Sequence, residues 1–579
     1  MAGASVVARV RQAYARIREA DRPEVWITVR DEADSVGDAE AIEARIAAGE
    51  ALPLAGVIAA VKDNIDVHGL PTTAAAPTFA YRPSADATAV ARLRAAGAIV
   101  IGKTNLDQFA TGLVGTRSPY GAVRNAWDPQ RISGGSSSGS AVAVALGMVD
   151  LALGTDTAGS GRVPAALNGI VGVKPTRGLI PATGVVPACR SLDCVTVFAR
   201  ELRLARRAAE LLSGDDGLDP LARTEAEASA LARITIAPRP RVAVPTAEHL
   251  SGLSEGWAEA FETVVGRLAA SGAEIVRVDV TPLLAAAALL YDGAFVAERF
   301  SAVGDHIRDH RDSIGAELDP SVAGIILGGA NRTAVELFRD AARLESLAGR
   351  GRDALAGCDA LLTPTTTWHP TLAEIAADPI GGNSRMGRFT NFANLLDMCS
   401  LAVPAGTVDG LPFGVMLTAQ AFHDGAIARI AELLLDPAVE LLVVGAHLTG
   451  QPLNHQLVSA GATLRATVAT SADYRLYALN TTPAKPGLLR VPGDGVSIRG
   501  ELWSLPAAGF GRFVAELPAP MTIGSVSLAD GRSVSGFLCE EVATVGAEDI
   551  SAHGGWLAWQ QATVAAAGDG HGMRRAVTA

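Results

Sequence analysis

Cysteine is scarce and scattered in this chain: five residues, at positions 189, 194, 358, 399 and 539, with no CxxC pair and no Cys/His cluster at metal-ligand spacing. That pattern argues against a disulfide framework and a thiolate metal site, and predicts reduced thiols in a cytoplasmic protein. Positive charge is also short, with 49 Lys and Arg against 61 Asp and Glu, a net charge of −12. A nucleic-acid binder normally shows a basic patch, and nothing here suggests one. No apolar run reaches the roughly 18 residues that a membrane span requires. The opening MAGASVVARVRQAYARIREAD spreads arginines through an amphipathic pattern and reads as a helix, not as a secretory leader. Internal repeats are missing, and low complexity is confined to alanine-rich helices.

Apolar residues are plentiful, at 49 % of 579. A large core is therefore available, and the length predicts two to four domains. Helical patterns over Ala4–Ala20, Asp38–Ala48 and Ala85–Gly97 alternate with buried-strand patterns over Leu54–Val61 and Ala98–Gly102. Further on, strand patterns at Arg241–Pro245, Ala273–Val278 and Asp359–Pro364 flank a helix over Leu253–Ser271. This alternation predicts an α/β fold with a central sheet covered by helices.

The most informative stretch is Gly134–Thr176, GGSSSGSAVAVALGMVDLALGTDTAGSGRVPAALNGIVGVKPT. Two Gly/Ser-rich turns, holding Ser136 and Ser160, enclose an apolar segment with the composition of a buried helix. Glycine at this density lets a chain turn successive N–H groups toward an anion. The turn Thr157-Ala158-Gly159-Ser160 is suited to an oxyanion hole built from backbone N–H groups. Asp156 and Arg162 flank it, and their pairing is expected to brace the loop.

This segment resembles the signature of the amidase signature family, with GGSSxG, GTDxxGSxRxPA and GxKPT in order and at the family spacing. The resemblance covers roughly residues 1–435 and implies a mixed α/β fold with a serine–cis-serine–lysine triad. Carried over by position, Ser160 is the nucleophile, Ser136 the serine with the cis peptide bond, and Lys62, in the apolar run ending KDN, the base. Gly112, in Gly112-Leu113-Val114-Gly115-Thr116, is implied as a backbone contact to substrate. The chemistry agrees with the residue types. A serine hydroxyl needs a base, and lysine, with an unperturbed pKa of about 10.4, becomes one only when burial disfavours its ammonium form.

Tyr291 and Arg299 lie about two turns apart if Leu289–Phe300 is one helix, which places both on one face. Such a pair is able to hold a small carboxylate, or it is a core tyrosine beside a surface arginine. The YxGxxxAER segment resembles that of allophanate hydrolases, in which the equivalent pair binds the substrate carboxylate. After Leu435 the sequence changes character, and short strands with Gly/Pro turns predict a small α+β domain over residues 438–565. A polar tail at 566–579 is expected to be disordered. The VGAHLTGQPLNHQL segment resembles the extra domain of allophanate hydrolases, itself similar to the gamma-glutamyl cyclotransferase fold. That resemblance implies His455, and more weakly Glu516, as residues that process the first product.

The resemblance implies hydrolysis of a small linear amide, allophanate first, with no metal or other cofactor. The alternatives are a family amidase for malonamate-like, aryl or fatty amides, and the glutaminase subunit of a tRNA-dependent amidotransferase. A scaffold that has lost catalysis is a third. Homo-oligomerisation, or assembly through the C-terminal domain, is left open.

Overall fold

The computed structural model describes residues 5–224, 227, 237, 239–435 and 438–569. The chain divides into two compact units, Met1–Leu435 and Asp436–Ala579. No helix among the described residues is long and apolar enough to cross a membrane.

The first unit is built on one eleven-stranded mixed sheet. Its strands are β1 (Trp26–Val29), β2 (Ile58–Lys62), β3 (Ile99–Thr104), β4 (Leu151–Asp156), β5 (Val171–Lys174) and β6 (Cys194–Ala199), then β7 (Arg241–Pro245), β8 (Glu274–Val278), β9 (Ala360–Pro364), β10 (Met398–Val408) and β11 (Leu411–Gln420). They lie in the order β1-β3-β2-β4-β6-β5-β10-β11-β9-β7-β8. At the centre, β2 runs parallel to both β3 and β4, whereas β4 and β6 are antiparallel. Helices cover both faces, which is why β2 and β4 are buried along their whole length and apolar up to their last one or two residues.

The two-residue period of β2 sorts its side chains. Ala59 and Val61 join one core cluster, while Ile58 and Ala60 join the other, together with Ala141–Val144 of the helix Ser138–Ala145. Lys62 continues the second set, so the strand delivers its amine to the layer where that helix begins. The helix itself packs tightly, Ser140 Oγ donating to Leu153 O at 2.9 Å and Ser137 Oγ to Thr155 O at 3.0 Å.

Several expected boundaries shift. The second helix spans Glu32–Ala47 and starts earlier than its apolar pattern because the Asp31 carboxylate caps it by accepting from Ala33 N. The strand expected over Leu54–Val61 is shorter at its start, since Leu54 to Gly56 form a turn that feeds β2. In β3 the strand runs on through Lys103 and Thr104, both buried at the end that faces the Gly/Ser turns.

The second unit holds β12 (Ala438–Val443), β13 (Thr463–Ala469), β14 (Tyr474–Leu479), β15 (Lys485–Arg490), β16 (Arg499–Pro506), β17 (Met521–Ser527), β18 (Ser533–Cys539) and β19 (Glu548–Asp549). They form a five-stranded sheet, β13-β16-β12-β18-β17, and a three-stranded one, β15-β14-β19. Its core gathers Leu441–Val444, Tyr474, Trp503, Phe513, Phe537 and Trp556. The last helix, Trp556–Asp569, extends into the stretch expected to be a tail, and the remainder of that tail lies outside the described residues.

One close approach locks the catalytic sheet to the turn above it. A Cβ at Gly172 in β5 would lie 2.2 Å from Gly161 O and 2.7 Å from Ala165 Cβ. Gly172→Ala is expected to destabilise the protein by about 1–3 kcal/mol through overpacking, read as a lower urea midpoint with an unchanged m-value.

Candidate active site

Lys62 is completely buried, with Nζ 2.8 Å from Ser136 Oγ and 2.8 Å from Thr155 Oγ1. No carboxylate among the described residues lies within ion-pair distance of it. Burial therefore dominates and lowers its pKa to about 7, against the pull of the more distant Asp107, Asp193 and Asp156. The Gly135–Ser136 peptide bond is cis, and Ser136 O accepts from Asp107 N at 3.1 Å. The next residue in chain order, Asp63, forms a different kind of site. It pairs with Lys103 at 2.9 Å, both fully buried, and accepts from Thr73 N at 2.9 Å. This pair fixes the loop after β2 and leaves Lys62 without a counter-charge.

Ser160 sits in the turn that follows β4, between Gly159 and Gly161, and is only 2 % exposed. The turn is held from beneath by Asp156 and Arg162, both fully buried, through a bidentate pair of 2.8 Å bonds. Asp156 also accepts from Gly159 N at 2.8 Å and from Gly161 N at 2.9 Å. Burial pushes the Asp156 carboxyl upward, but Arg162 outweighs it and holds the group below the usual carboxylate range. Arg162 reaches further, to Thr390 O at 3.0 Å and Asn394 Oδ1 at 2.7 Å, so the closing segment of the unit is tied to the same turn.

The oxyanion expectation needs one correction. The Gly159 amide is already bonded to Asp156 and is not free to bind an anion. The amides of Thr157, Ala158 and Ser160 have no acceptor among the described residues, so three of the expected donors stay available.

Arg299 comes to the same region by a route that the sequence pattern misjudged. Tyr291 and Arg299 do not share a continuous helix. One helix ends at Asp292, Gly293 breaks it, a short 3-10 turn covers Ala294–Val296, and a second helix starts at Ala297. Asp340 holds the break by accepting from Ala294 N at 2.7 Å. The two side chains nevertheless meet, Arg299 Nη2 lying 3.1 Å from Tyr291 OH, with the guanidinium over the ring at 5.4 Å. Arg299 Nη1 donates to Thr111 Oγ1 at 2.9 Å, and Nε has no partner. The residue is 1 % exposed and contacts no carboxylate among the described residues. A buried cation of this kind is strongly disfavoured until an anion reaches it.

Gly112 follows Thr111 in that loop and packs against the Asp107 carboxylate, which also accepts from Val114 N, Gly115 N and Arg117 N. Thr111, Thr155, Asp107, Asp193 and Asn394 are residues that sequence reasoning missed. Their roles depend on strand register and on loops far apart in the chain, for which the sequence carries no spacing signal.

His455 and Glu516 line one cavity of about 450 Å³ in the second unit, with His447, Lys485, Arg512 and Phe537. His455 and Glu516 are exposed at its wall, whereas His447 is buried, stacked on Phe537 and bonded to Gln456 Oε1 at 3.0 Å. Among the described residues no cluster of His, Cys, Asp or Glu is placed to hold a metal ion.

Residues 8–427 match the Amidase family, and residues 439–561 match the family described as Allophanate hydrolase C-terminal domain. The chain is 42 % identical over 581 residues to urea amidolyase of Lachancea kluyveri, covering 93 % of this chain and 31 % of that protein. It therefore spans about a third of the length of the urea amidolyases it matches. The solved structure of Kluyveromyces lactis allophanate hydrolase superposes with a TM-score of 0.69 at 39 % identity, covering 97 % of both chains. A glutamyl-tRNA(Gln) amidotransferase subunit of Symbiobacterium thermophilum is 35 % identical, covering 74 % of this chain and 92 % of that one.

Arg162→Met is expected to cost about 3–5 kcal/mol, because it strands a buried carboxylate. Denaturant unfolding monitored by intrinsic fluorescence reads this directly, and the double variant with Asp156→Asn is expected to recover part of the loss.

Proposed function

The chain belongs to the amidase family and carries an allophanate hydrolase C-terminal domain, and on that premise we propose that it hydrolyses allophanate, the N-carboxylated form of urea, to ammonia and carbon dioxide. The observation that carries the substrate choice is Arg299, buried beside Tyr291 OH and Thr111 Oγ1 with no protein carboxylate in contact. A planar guanidinium suits bidentate binding of a carboxylate, and allophanate presents one at the end opposite its amide.

In this reading Ser160 attacks the terminal amide carbonyl while Lys62, neutral through burial, accepts the proton by way of Ser136. The free amides of the Thr157–Ser160 turn stabilise the oxyanion. The proton returns to the departing nitrogen, ammonia leaves, and water hydrolyses the acyl-enzyme. The released N-carboxycarbamate then loses carbon dioxide to leave carbamate, which breaks down to a second carbon dioxide and a second ammonia, and the C-terminal cavity with His455 and Glu516 is assigned to the first of these losses. The residues present call for no metal or nucleotide in these steps.

An amidase for other small amides is the runner-up, and an amidotransferase glutaminase is a more distant one because it leaves residues 439–561 without a role. Ammonia release is the measurement, from allophanate, malonamate, glutamine and an aryl amide. Ser160→Ala is expected to abolish activity on all of them, and Arg299→Ala to lose about 100-fold or more in kcat/KM on allophanate, a contact to a charged group being worth roughly 1.5–3 kcal/mol or more when buried. Wild-type preference for a neutral amide that survives Arg299→Ala would overturn the allophanate reading.

The pH dependence follows from Lys62. Its pKa of about 7 makes the neutral amine the minor form below that pH, so kcat/KM is expected to rise with pH through about 7 and then level off. A profile flat from pH 5 to 8 would remove Lys62 as the base.

A further inference from the structure

The ladder between β4 and β6 ends with Asp156 opposite Cys194. One step beyond it, Thr157 and Asp193 face each other, and Thr157 Oγ1 donates a hydrogen bond to Asp193 Oδ1. The other carboxylate oxygen accepts from Ala188 N at 2.8 Å and Cys189 N at 3.2 Å. Asp193 is buried, carries no ion pair among the described residues, and belongs to none of the roles assigned above. It nevertheless joins two walls of the site. On one side is the turn whose Thr157, Ala158 and Ser160 amides are free. On the other is the Cys189–Leu192 segment, which packs with Ala158 and Leu290 against Tyr291.

We propose that Asp193 is a positioning residue for the hydrolysis, fixing the oxyanion-binding turn through the Thr157 hydroxyl and placing a negative charge that acts on Lys62 and Arg299. Its field acts on both buried cations of the site, favouring the charged form of Lys62 and of Arg299. The groups that face it are Lys62 from β2, Arg299 from the helix Ala297–Asp309, the Cys189 thiol from the preceding loop, and the Cys194 thiol at the start of β6. Asp107, the strongest of the three on Lys62, and Asp156 also act on it; Asp156 is paired with Arg162, and Asp107 is held by the amides of Val114, Gly115 and Arg117. Asp193 itself sits in surroundings that raise its pKa to about 6, burial being the main cause. Its charge is thus present at neutral pH and is withdrawn on acidification.

Hydroxyl and charge make separable contributions. Thr157→Val removes the hydrogen bond and keeps the carboxylate. Asp193→Asn keeps the shape and removes the charge. Since Asp193 favours the ammonium form of Lys62, its neutralisation is expected to lower the Lys62 pKa.

The inference rests on the amidase reading of Ser160 and Lys62, so the experiment uses two readouts. The first is kcat and KM for allophanate against pH. The second is the rate at which a small sulfonyl fluoride sulfonylates Ser160 with loss of fluoride, followed by intact mass, which depends on the nucleophile and base and not on substrate identity. For Asp193→Asn we expect kcat to fall about 100-fold, the scale for a reacting group misplaced by about 1 Å. The acid limb of both pH profiles is expected to move to lower pH. Thr157→Val is expected to lower kcat with the limb unmoved. A fall in kcat for Asp193→Asn with both limbs unmoved assigns Asp193 a structural role only and overturns the proposal, as does wild-type kcat in either variant. If wild type ignores allophanate but its sulfonylation profile still shifts in Asp193→Asn, the substrate reading fails and the positioning role stands.

Discussion

The structure depends on keeping one amine in a place where water does not reach it and no carboxylate touches it. Lys62 stands at the end of an interior strand that is apolar on both faces, and the residue beside it, Asp63, is claimed by Lys103. Desolvation is therefore uncompensated at close range, and the ammonium loses much of its advantage over the free amine. Everything around the amine serves this condition. The Ser138–Ala145 helix covers it, the Thr155 and Ser136 hydroxyls give it neutral partners, and the nearest carboxylates are engaged elsewhere.

The charged residues of the first unit divide into those that are satisfied and those that are left wanting. Asp156 with Arg162, and Asp63 with Lys103, are buried pairs at 2.8 and 2.9 Å, and they tie loops to strands. Such pairs add little net stability but are costly to break singly, which makes them good determinants of geometry. Lys62 and Arg299 have no such partner among the described residues. In the proposed mechanism one lacks an anion so that it gives up a proton, the other so that it accepts a ligand. The same chemistry, a buried cation, is turned to two ends by the surroundings alone.

Much of this was legible in the sequence. The Gly/Ser stretch announced itself through residue types that chemistry requires, and Lys62 meets Ser136 across 74 residues of chain. The α/β alternation was legible too, because buried strands such as Ile58–Lys62 are short and apolar up to their last residue. What stayed hidden depends on three-dimensional register. Asp193 meets Thr157 only because β6 runs antiparallel to β4 with Asp156 opposite Cys194. Gly159 belongs to the expected anion-binding turn by composition, yet its amide is spent on Asp156, a bond that only the folded turn reveals. The Tyr291–Arg299 spacing led to the right encounter for an incorrect reason, since helical periodicity does not register a break at Gly293. The helix Glu32–Ala47 began earlier than expected because its start is set by a cap at Asp31, and not by the apolar pattern.

That break at Gly293 determines what kind of variation the proposed carboxylate clamp tolerates. Because Tyr291 and Arg299 stand on separate helices, the width between phenol and guanidinium is a property of the joint and of the Asp340 carboxylate that pins it. Side-chain exchange around the clamp alters its lining, whereas lengthening or shortening the joint alters its gauge. Divergence toward longer or shorter acids is thus open to this scaffold through insertions at a single bend, with the nucleophile, the base and the turn between them left as they are.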